Sequence, residues 1–247
     1  MLRYRAMRLG ILGGGRAAWA FGSTWRRIGW PIDGVWLRSA SQSRLPELLQ
    51  APRQAIGDFD ADLLLVAVSD RAIEEVAALV PPTKAVLFHA SGAMASVRDG
   101  FSLHPLKSLP PVGMPSDLGG ALLVFEGAHR GMAEAIAEAC GARFAAIGAT
   151  DKVRYHAGAV FGANYVAALL DIAEELVGLD DAREELAGLA ISAVENWRAH
   201  RDARRFTGPA ARGDVEVITR HLDALADQPE VAEIYRLLAA RILATRK

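Results

Sequence analysis

The stretch from Leu9 to Ala18 constrains this chain more than any other. An apolar run, Leu9 to Leu12, enters Gly13-x-Gly15-x-x-Ala18, and a helical pattern follows. A first glycine allows the tight turn out of a strand, a second lets backbone approach a bulky anion, and a small third residue lets helix pack on strand. The first N–H groups of a helix lack intrahelical partners, and the helix dipole is positive there. Together they cradle a pyrophosphate, with Gly13, Gly15, Arg16, Ala17 and Ala18 as candidate cofactor contacts. The turn follows a strand, opens a helix and leads to a second strand, the context that this motif requires.

The pattern around it fits. Apolar, β-rich runs fall at 7–12, 34–37, 63–68, 85–88, 101–103, 121–125 and 144–147, with helical patterns at 17–27, 72–79 and 130–139. Leu63 to Val68 is apolar without a break, which marks a strand covered on both faces of a parallel sheet. From Thr150 onward only amphipathic helices are predicted. One capped by Thr150 or Asp151 runs to Gly178, and another opens at Asp180 or Asp181. A polar loop over 201–213 precedes a helix from Val215, and a last helix has Pro229 in its first turn. The expected fold is α/β: an N-terminal Rossmann dinucleotide-binding domain over 1–148, then an all-helical domain over 149–247 for substrate binding and dimerisation.

The end of the second strand bears on the cofactor. An NAD site places an acid there to hold the ribose hydroxyls, whereas a 2′-phosphate calls for cations and hydroxyls. Here Arg38 and Ser39 follow the strand, and Asp33 precedes it at the wrong end. NADP is therefore expected over NAD. Ser69-Asp70 lies at the carboxyl end of the next strand, where Asp70 could serve a ligand or cap a helix. His89-Ala90-Ser91-Gly92 and His104-Pro105-Leu106-Lys107 end two further strands. Open sheets bind ligands at this edge. Ser69, His89 and Ser91 are thus candidate cofactor contacts, His104 a catalytic candidate and Lys107 a substrate contact.

In the helical half, Lys152 and His156 are four apart and share a face beside Tyr155. Asn164 lies two turns on, roughly 80° further round one continuous helix. Lys152, His156 and Asn164 are the catalytic candidates there, although Asn164 could equally tie helices together. Thr207, Arg212 and Asp214, in a turn-rich loop, are candidate substrate contacts: Arg212 could clamp an anion, and Asp214 could equally cap the next helix.

Composition excludes some partners. The formal net charge of −1 offers no electrostatic case for nucleic acid, and the short cluster of Arg201, Arg204 and Arg205 reads as solvated surface. No segment approaches the roughly 20 apolar residues of a membrane span. The N-terminal apolar stretch, interrupted at Arg16, is too short for a signal peptide, so a cytoplasmic protein is expected. The one cysteine, Cys140, cannot form an intramolecular disulfide and reads as a small buried apolar side chain.

These motifs together resemble the Rossmann-like family called domain of unknown function 2520. The resemblance rests on Gly13-x-Gly15-x-x-Ala18, His89 to Gly92, Ser102 to Pro105, Lys152 with Tyr155-His156 and Asn164, and Thr207-Gly208-Pro209 with Arg212-Gly213-Asp214. That family is similar in plan to pyrroline-5-carboxylate reductases, ketopantoate reductases and β-hydroxyacid dehydrogenases. The resemblance implies a nicotinamide-binding domain, a helical domain that dimerises, and a cleft between them. β-Hydroxyacid dehydrogenases carry Lys and Asn four residues apart on the first interdomain helix, where this chain has Lys152 and His156. Their mechanism is therefore not carried over. The expected function is an NADP-dependent oxidoreductase that reduces a C=O or C=N bond of a small anionic metabolite, as a homodimer. The alternative is a non-catalytic NADP-binding sensor or scaffold.

Overall fold

A computed structural model of the chain describes residues 5–38 and 43–246. It divides into two compact units, 1–163 and 164–247. The first is built on seven strands: β1 (Leu9–Leu12), β2 (Ile32–Trp36), β3 (Leu63–Val66), β4 (Val86–His89), β5 (Phe101–Leu106), β6 (Leu122–Gly127) and β7 (Arg143–Ala146). They form one sheet in the order β2-β1-β3-β4-β5-β6-β7. All neighbours are parallel except β5 and β6. The chain leaves β1 for β2 on one side and continues to β3 on the other, so the order reverses at β1. Above the carboxyl ends of such strands the loops part and leave a crevice.

Among the described residues, five α-helices belong to this unit: α1 (Arg16–Arg27), α2 (Leu45–Leu49), α3 (Ile73–Leu79), α4 (Arg130–Cys140) and α5 (Lys152–Gly162). Side chains alternate along β3, so its apolar run feeds two cores. Leu63 and Leu65 join Phe21, Trp25, Phe88, Phe101 and Ile136 on one face. Leu64 and Val66 join Leu12, Ile73 and Val76 on the other. Cys140 is buried in the first core, which pushes its thiol up to about 12 and leaves it an inert packing group.

The helical pattern predicted over 150–178 is interrupted. α5 ends at Gly162, Ala163 has non-helical angles (φ −133°, ψ −72°), and α6 (Asn164–Val177) starts afresh in the second unit. Division by compactness thus falls after Ala163 rather than at 148, and α5 goes with the sheet. Neither Thr150 nor Asp151 makes a side-chain cap for α5. The second unit continues with α7 (Arg183–Ala199), α8 (Gly208–Arg212), α9 (Val215–Ala224) and α10 (Pro229–Leu243). The polar segment expected as a loop contains α8, started by Pro209 and stopped by Gly213 in the left-handed region. Among the described residues no helix is long and apolar enough to cross a membrane.

Phe101 is fully buried, stacked on Phe88 with ring centroids 5.1 Å apart and tilted against Phe125 at 6.0 Å. Replacing it with alanine removes a large side chain from the middle of the sheet. Phe101→Ala should lower unfolding free energy by about 3–5 kcal/mol in denaturant titration; a loss under about 1 kcal/mol would contradict this packing.

Candidate active site

The cleft of the first unit is about 830 Å³, within the range of small-molecule sites, and crosses the carboxyl ends of β2, β1, β3 and β4 in sheet order. Three inter-strand spacings make that crossing roughly 14 Å long. Gly13–Ala17 lie at its centre, Arg38 and Ser43 at one end, Ser69 and Asp70 beyond the centre, and Ala90 and Ser91 at the other end. Gly13 has φ +109°, and a Cβ there would stand 2.5 Å from the carbonyl oxygen of Ala67, so only glycine fits the turn. Its N–H donates to Trp36 O (2.8 Å) and that of Gly15 to Ala67 O (3.1 Å), which fixes the turn to both flanking strand ends. Ala18 is fully buried under the helix.

No side chain caps α1, and its first turn holds no acid. Its orphan N–H groups therefore open on the cleft beside exposed Arg16, an arrangement that fits a pyrophosphate. At the β2 end, Arg38 Nη2 lies 3.0 Å from Glu75 Oε1 in an exposed ion pair. Glu75, on α3, escaped sequence reasoning because nothing in the chain order brings it to Arg38. Ser39 lies outside the described residues. Asp33 is at the far end of the strand, where its Oδ2 accepts from the N–H of Asp60 (2.9 Å).

At the β4 end the chain turns sharply. Ser91 Oγ donates to Asp70 Oδ2 (2.9 Å) and accepts from the N–H groups of Ala93 and Met94 (3.2 and 3.0 Å). His89, expected beside the cofactor, is fully buried and uses both ring nitrogens inside this turn. Nδ1 accepts from Ser91 N–H (3.2 Å) and Nε2 bonds to Ala95 O (2.9 Å), while burial lowers its pKa. The ring is a neutral brace for the turn.

Lys152 is also turned inward, with 2 % of its surface exposed. Its Nζ donates to the carbonyl of Ser91 (3.3 Å) and to Ser102 Oγ, and lies 3.7 Å from Glu126 Oε2. Glu126 accepts from Ser96 N–H (2.9 Å) and Ser96 Oγ (3.1 Å). Register explains the meeting: His89 pairs with Ser102, and Ser102 with Glu126, across three adjacent strands. Burial pushes the lysine below its ordinary value, against the pull of Glu126. Lys152, a catalytic candidate by its spacing from His156, is thus an anchored ammonium bonded to the turn that bears Ser91. Glu126 went unnoticed because the apolar run of its strand ends at Phe125.

β5 continues past the last residue of β4, and the ring of His104, two residues beyond Ser102, reaches Gly92 in the turn that follows β4. A Cβ on Gly92 would stand 3.1 Å from His104 Nε2 and 2.5 Å from His156 Cδ2, so both rings close over a glycine that must stay bare. His104 Nδ1 shares a 2.6 Å hydrogen bond with the Tyr155 hydroxyl. The His104 ring meets those of Tyr155 and His156 edge to face at 5.6 and 5.8 Å. His104, His156 and Tyr155 are therefore gathered one residue beyond the Ser91 end of the cleft. Lys107 is exposed after β5, with its Nζ donating to the carbonyl of Asp117.

The remaining candidates belong to the second unit. The rotation that placed Asn164 on one face with His156 assumes a continuous helix, which Ala163 interrupts; Asn164 is exposed at the start of α6. Thr207 and Arg212 are exposed at the two ends of α8. Asp214 caps α9, its Oδ1 accepting from Val217 N–H at 3.2 Å.

Residues 123–242 match the model of a family described as Domain of unknown function (DUF2520). No curated protein matches the sequence. Among solved structures, a Bacteroides fragilis protein provisionally assigned as an NADP oxidoreductase superposes with TM-score 0.80 at 21% identity, covering 96% of this chain and 98% of its own. Protein TM1727 of Thermotoga maritima gives TM-score 0.74 at 24% identity over 96% and 99%. A reductive aminase of Aspergillus terreus, solved with NADPH and ethyl levulinate, gives TM-score 0.59 at 19% identity over 89% and 78%. Identities this low speak for the fold: a Rossmann-type sheet followed by a helical part.

Burial, seconded by His156 and Lys152 and opposed by Asp70, pushes His104 from 6.5 down to about 4. The unfolded chain takes up a proton there below pH 6.5, and the folded chain does so only near pH 4. Acidification through that window therefore favours unfolding, by at most about 3 kcal/mol from this residue. His104→Gln should flatten the fall in stability between pH 6.5 and 4, measured by denaturant midpoints at each pH. An unchanged slope would contradict a half-buried, neutral ring.

Proposed function

We propose that this chain, whose residues 123–242 match the DUF2520 family model, is an NADP-dependent oxidoreductase that reduces a C=O or C=N bond of a small anionic metabolite. The observation that carries the reading is the continuous cleft from Arg38 across the glycine turn to Ser91, with His104 and His156 just beyond that end. When bound, the nicotinamide supplies the hydride. The open N–H groups of α1 hold the pyrophosphate. Asp70, fixed by Ser91, holds the cleft wall in place, and the Ser91-Gly92 turn backs the reacting end. His156 supplies a proton to the developing alkoxide or amine, and exposed Lys107 draws in an anionic substrate. The B. fragilis neighbour and the NADPH complex of the aminase support the choice of cofactor.

Preference for NADP rests on Arg38. Its ion pair with Glu75 is exposed on both sides and so worth no more than about 1 kcal/mol. A 2′-phosphate, which a guanidinium can grip with two charge-assisted hydrogen bonds, can displace it. By calorimetry NADPH should bind at least about tenfold more tightly than NADH, a difference of about 1.4 kcal/mol. Arg38→Asp should narrow or invert the gap, and equal affinities for the native chain would remove the NADP assignment.

The helical unit is proposed to join two copies. α6 and α7 contain no buried residue, and Leu189, Ile191, Val194 and Trp197 are each more than half exposed. Among the described residues, the buried cluster of this unit is small: Ala210, Ile218 and Ala239, with Leu222, Tyr235, Ile242 and Leu243 packed against it, little for independent stability. Covering such a face with its own copy is the commonest solution. Light scattering at micromolar concentration should give the dimer mass; a monomer mass would contradict it.

A further inference from the structure

We propose that Tyr155 decides where His104 keeps its proton: the phenol donates to Nδ1, so the neutral ring carries its hydrogen on Nε2, the nitrogen beside Gly92. The inference builds on placing the reaction at this cluster, and it assigns Tyr155 as a positioning residue acting through His104.

Three observations support it. The first is bond length. At 2.6 Å the Nδ1–hydroxyl contact fits an O–H donor and falls short of the roughly 2.7–3.2 Å usual for an N–H donor. The second is the count of donors and acceptors. Among the described residues, neither the Tyr155 hydroxyl nor His104 Nε2 has a further hydrogen bond. If Nδ1 carried the proton, the tyrosine hydrogen would have no acceptor and the Nε2 lone pair no donor. With the phenol donating, one group alone is left over: an N–H at Nε2. The third is charge. Burial raises Tyr155 to about 12, so it keeps its hydrogen, and lowers His104 to about 4, so the ring stays neutral near pH 7. The groups facing that ring are Tyr155, His156 and Lys152 from α5 and Asp70 from the turn after β3.

The leftover donor is in the right place to be used. Nε2 lies 3.1 Å from where a side chain on Gly92 would begin, in space that the glycine leaves free, one residue past the wall of the cleft. A neutral imidazole N–H polarises a carbonyl or imine without giving up its proton, and so divides the work with His156. Phenylalanine at 155 keeps the ring shape and removes the donor.

The test is a long-range proton–nitrogen NMR spectrum of the full-length chain with nitrogen-15 histidine, between pH 6 and 8. His104 is assigned from His104→Gln. His89, whose Nδ1 accepts from Ser91 N–H, serves as the internal standard for a ring protonated on Nε2 and as a check of folding. His104 is expected to share the His89 pattern in the native chain. In Tyr155→Phe it should lose that pattern to a mixture of tautomers while His89 is unchanged. A native His104 protonated on Nδ1 would overturn the proposal, as would an unaltered Nε2–H pattern in Tyr155→Phe. If Tyr155→Phe fails to fold, seen as loss of the His89 pattern, the native tautomer alone decides. NADPH titrated into the same sample addresses the cofactor separately: absence of binding would remove the oxidoreductase reading and leave the tautomer result standing.

Discussion

Lys152 carries a charge into the sheet, and the geometry of the site follows from how that charge is accommodated. A buried ammonium costs several kcal/mol in lost hydration and is tolerated only when its partners are all supplied. Here they come from three places: Glu126 on β6, Ser102 on β5 and the carbonyl of Ser91 in the turn after β4. Glu126 in turn is held by both the N–H and the hydroxyl of Ser96. Removing either charge would strand the other, at a cost on the order of 3–5 kcal/mol. The first turn of α5 is thereby pinned to the sheet edge, and Tyr155 and His156, one turn on, have little freedom in where they lie.

The same bonds reach the cleft. Ser91 offers its carbonyl to Lys152 and its hydroxyl to Asp70, so one residue joins the buried ion pair to the cleft wall. His89 braces the turn from below, and Gly92 leaves room above for two imidazoles. Three histidines sit within a few residues of that turn in space, with different duties set by surroundings. His89 is closed off by two internal hydrogen bonds. His104 is half-buried with one nitrogen bonded, and His156 faces it edge on.

Much of the fold was legible because it depends on local pattern. The unbroken apolar run of β3 implied cover on both faces, and Leu63 to Val66 do divide between two cores. The glycine turn announced itself through steric need at Gly13. The interruption at Ala163 was not legible, since alanine is the best helix former and carries no stop signal. α2 escaped because five residues are too few to show a period. Asp214, a substrate-contact candidate that could equally cap a helix, makes the cap, a short-range bond. That Lys152 and His89 turn inward was not legible. The partners of Lys152 lie far along the chain, those of His89 lie in a turn that shows no pattern of its own, and a polar residue near a strand end looks the same whether it faces a ligand or the inside of the protein.

The central claim is that the cleft across β2, β1, β3 and β4 holds a nicotinamide dinucleotide with its reacting end at Gly92. A crystal structure of the protein grown with NADPH tests this most directly. The predicted result is pyrophosphate density at the start of α1, with the nicotinamide against Ser91-Gly92, on the side of His104 and His156. Clear density for the dinucleotide elsewhere, or an empty glycine turn at saturating NADPH, would contradict it.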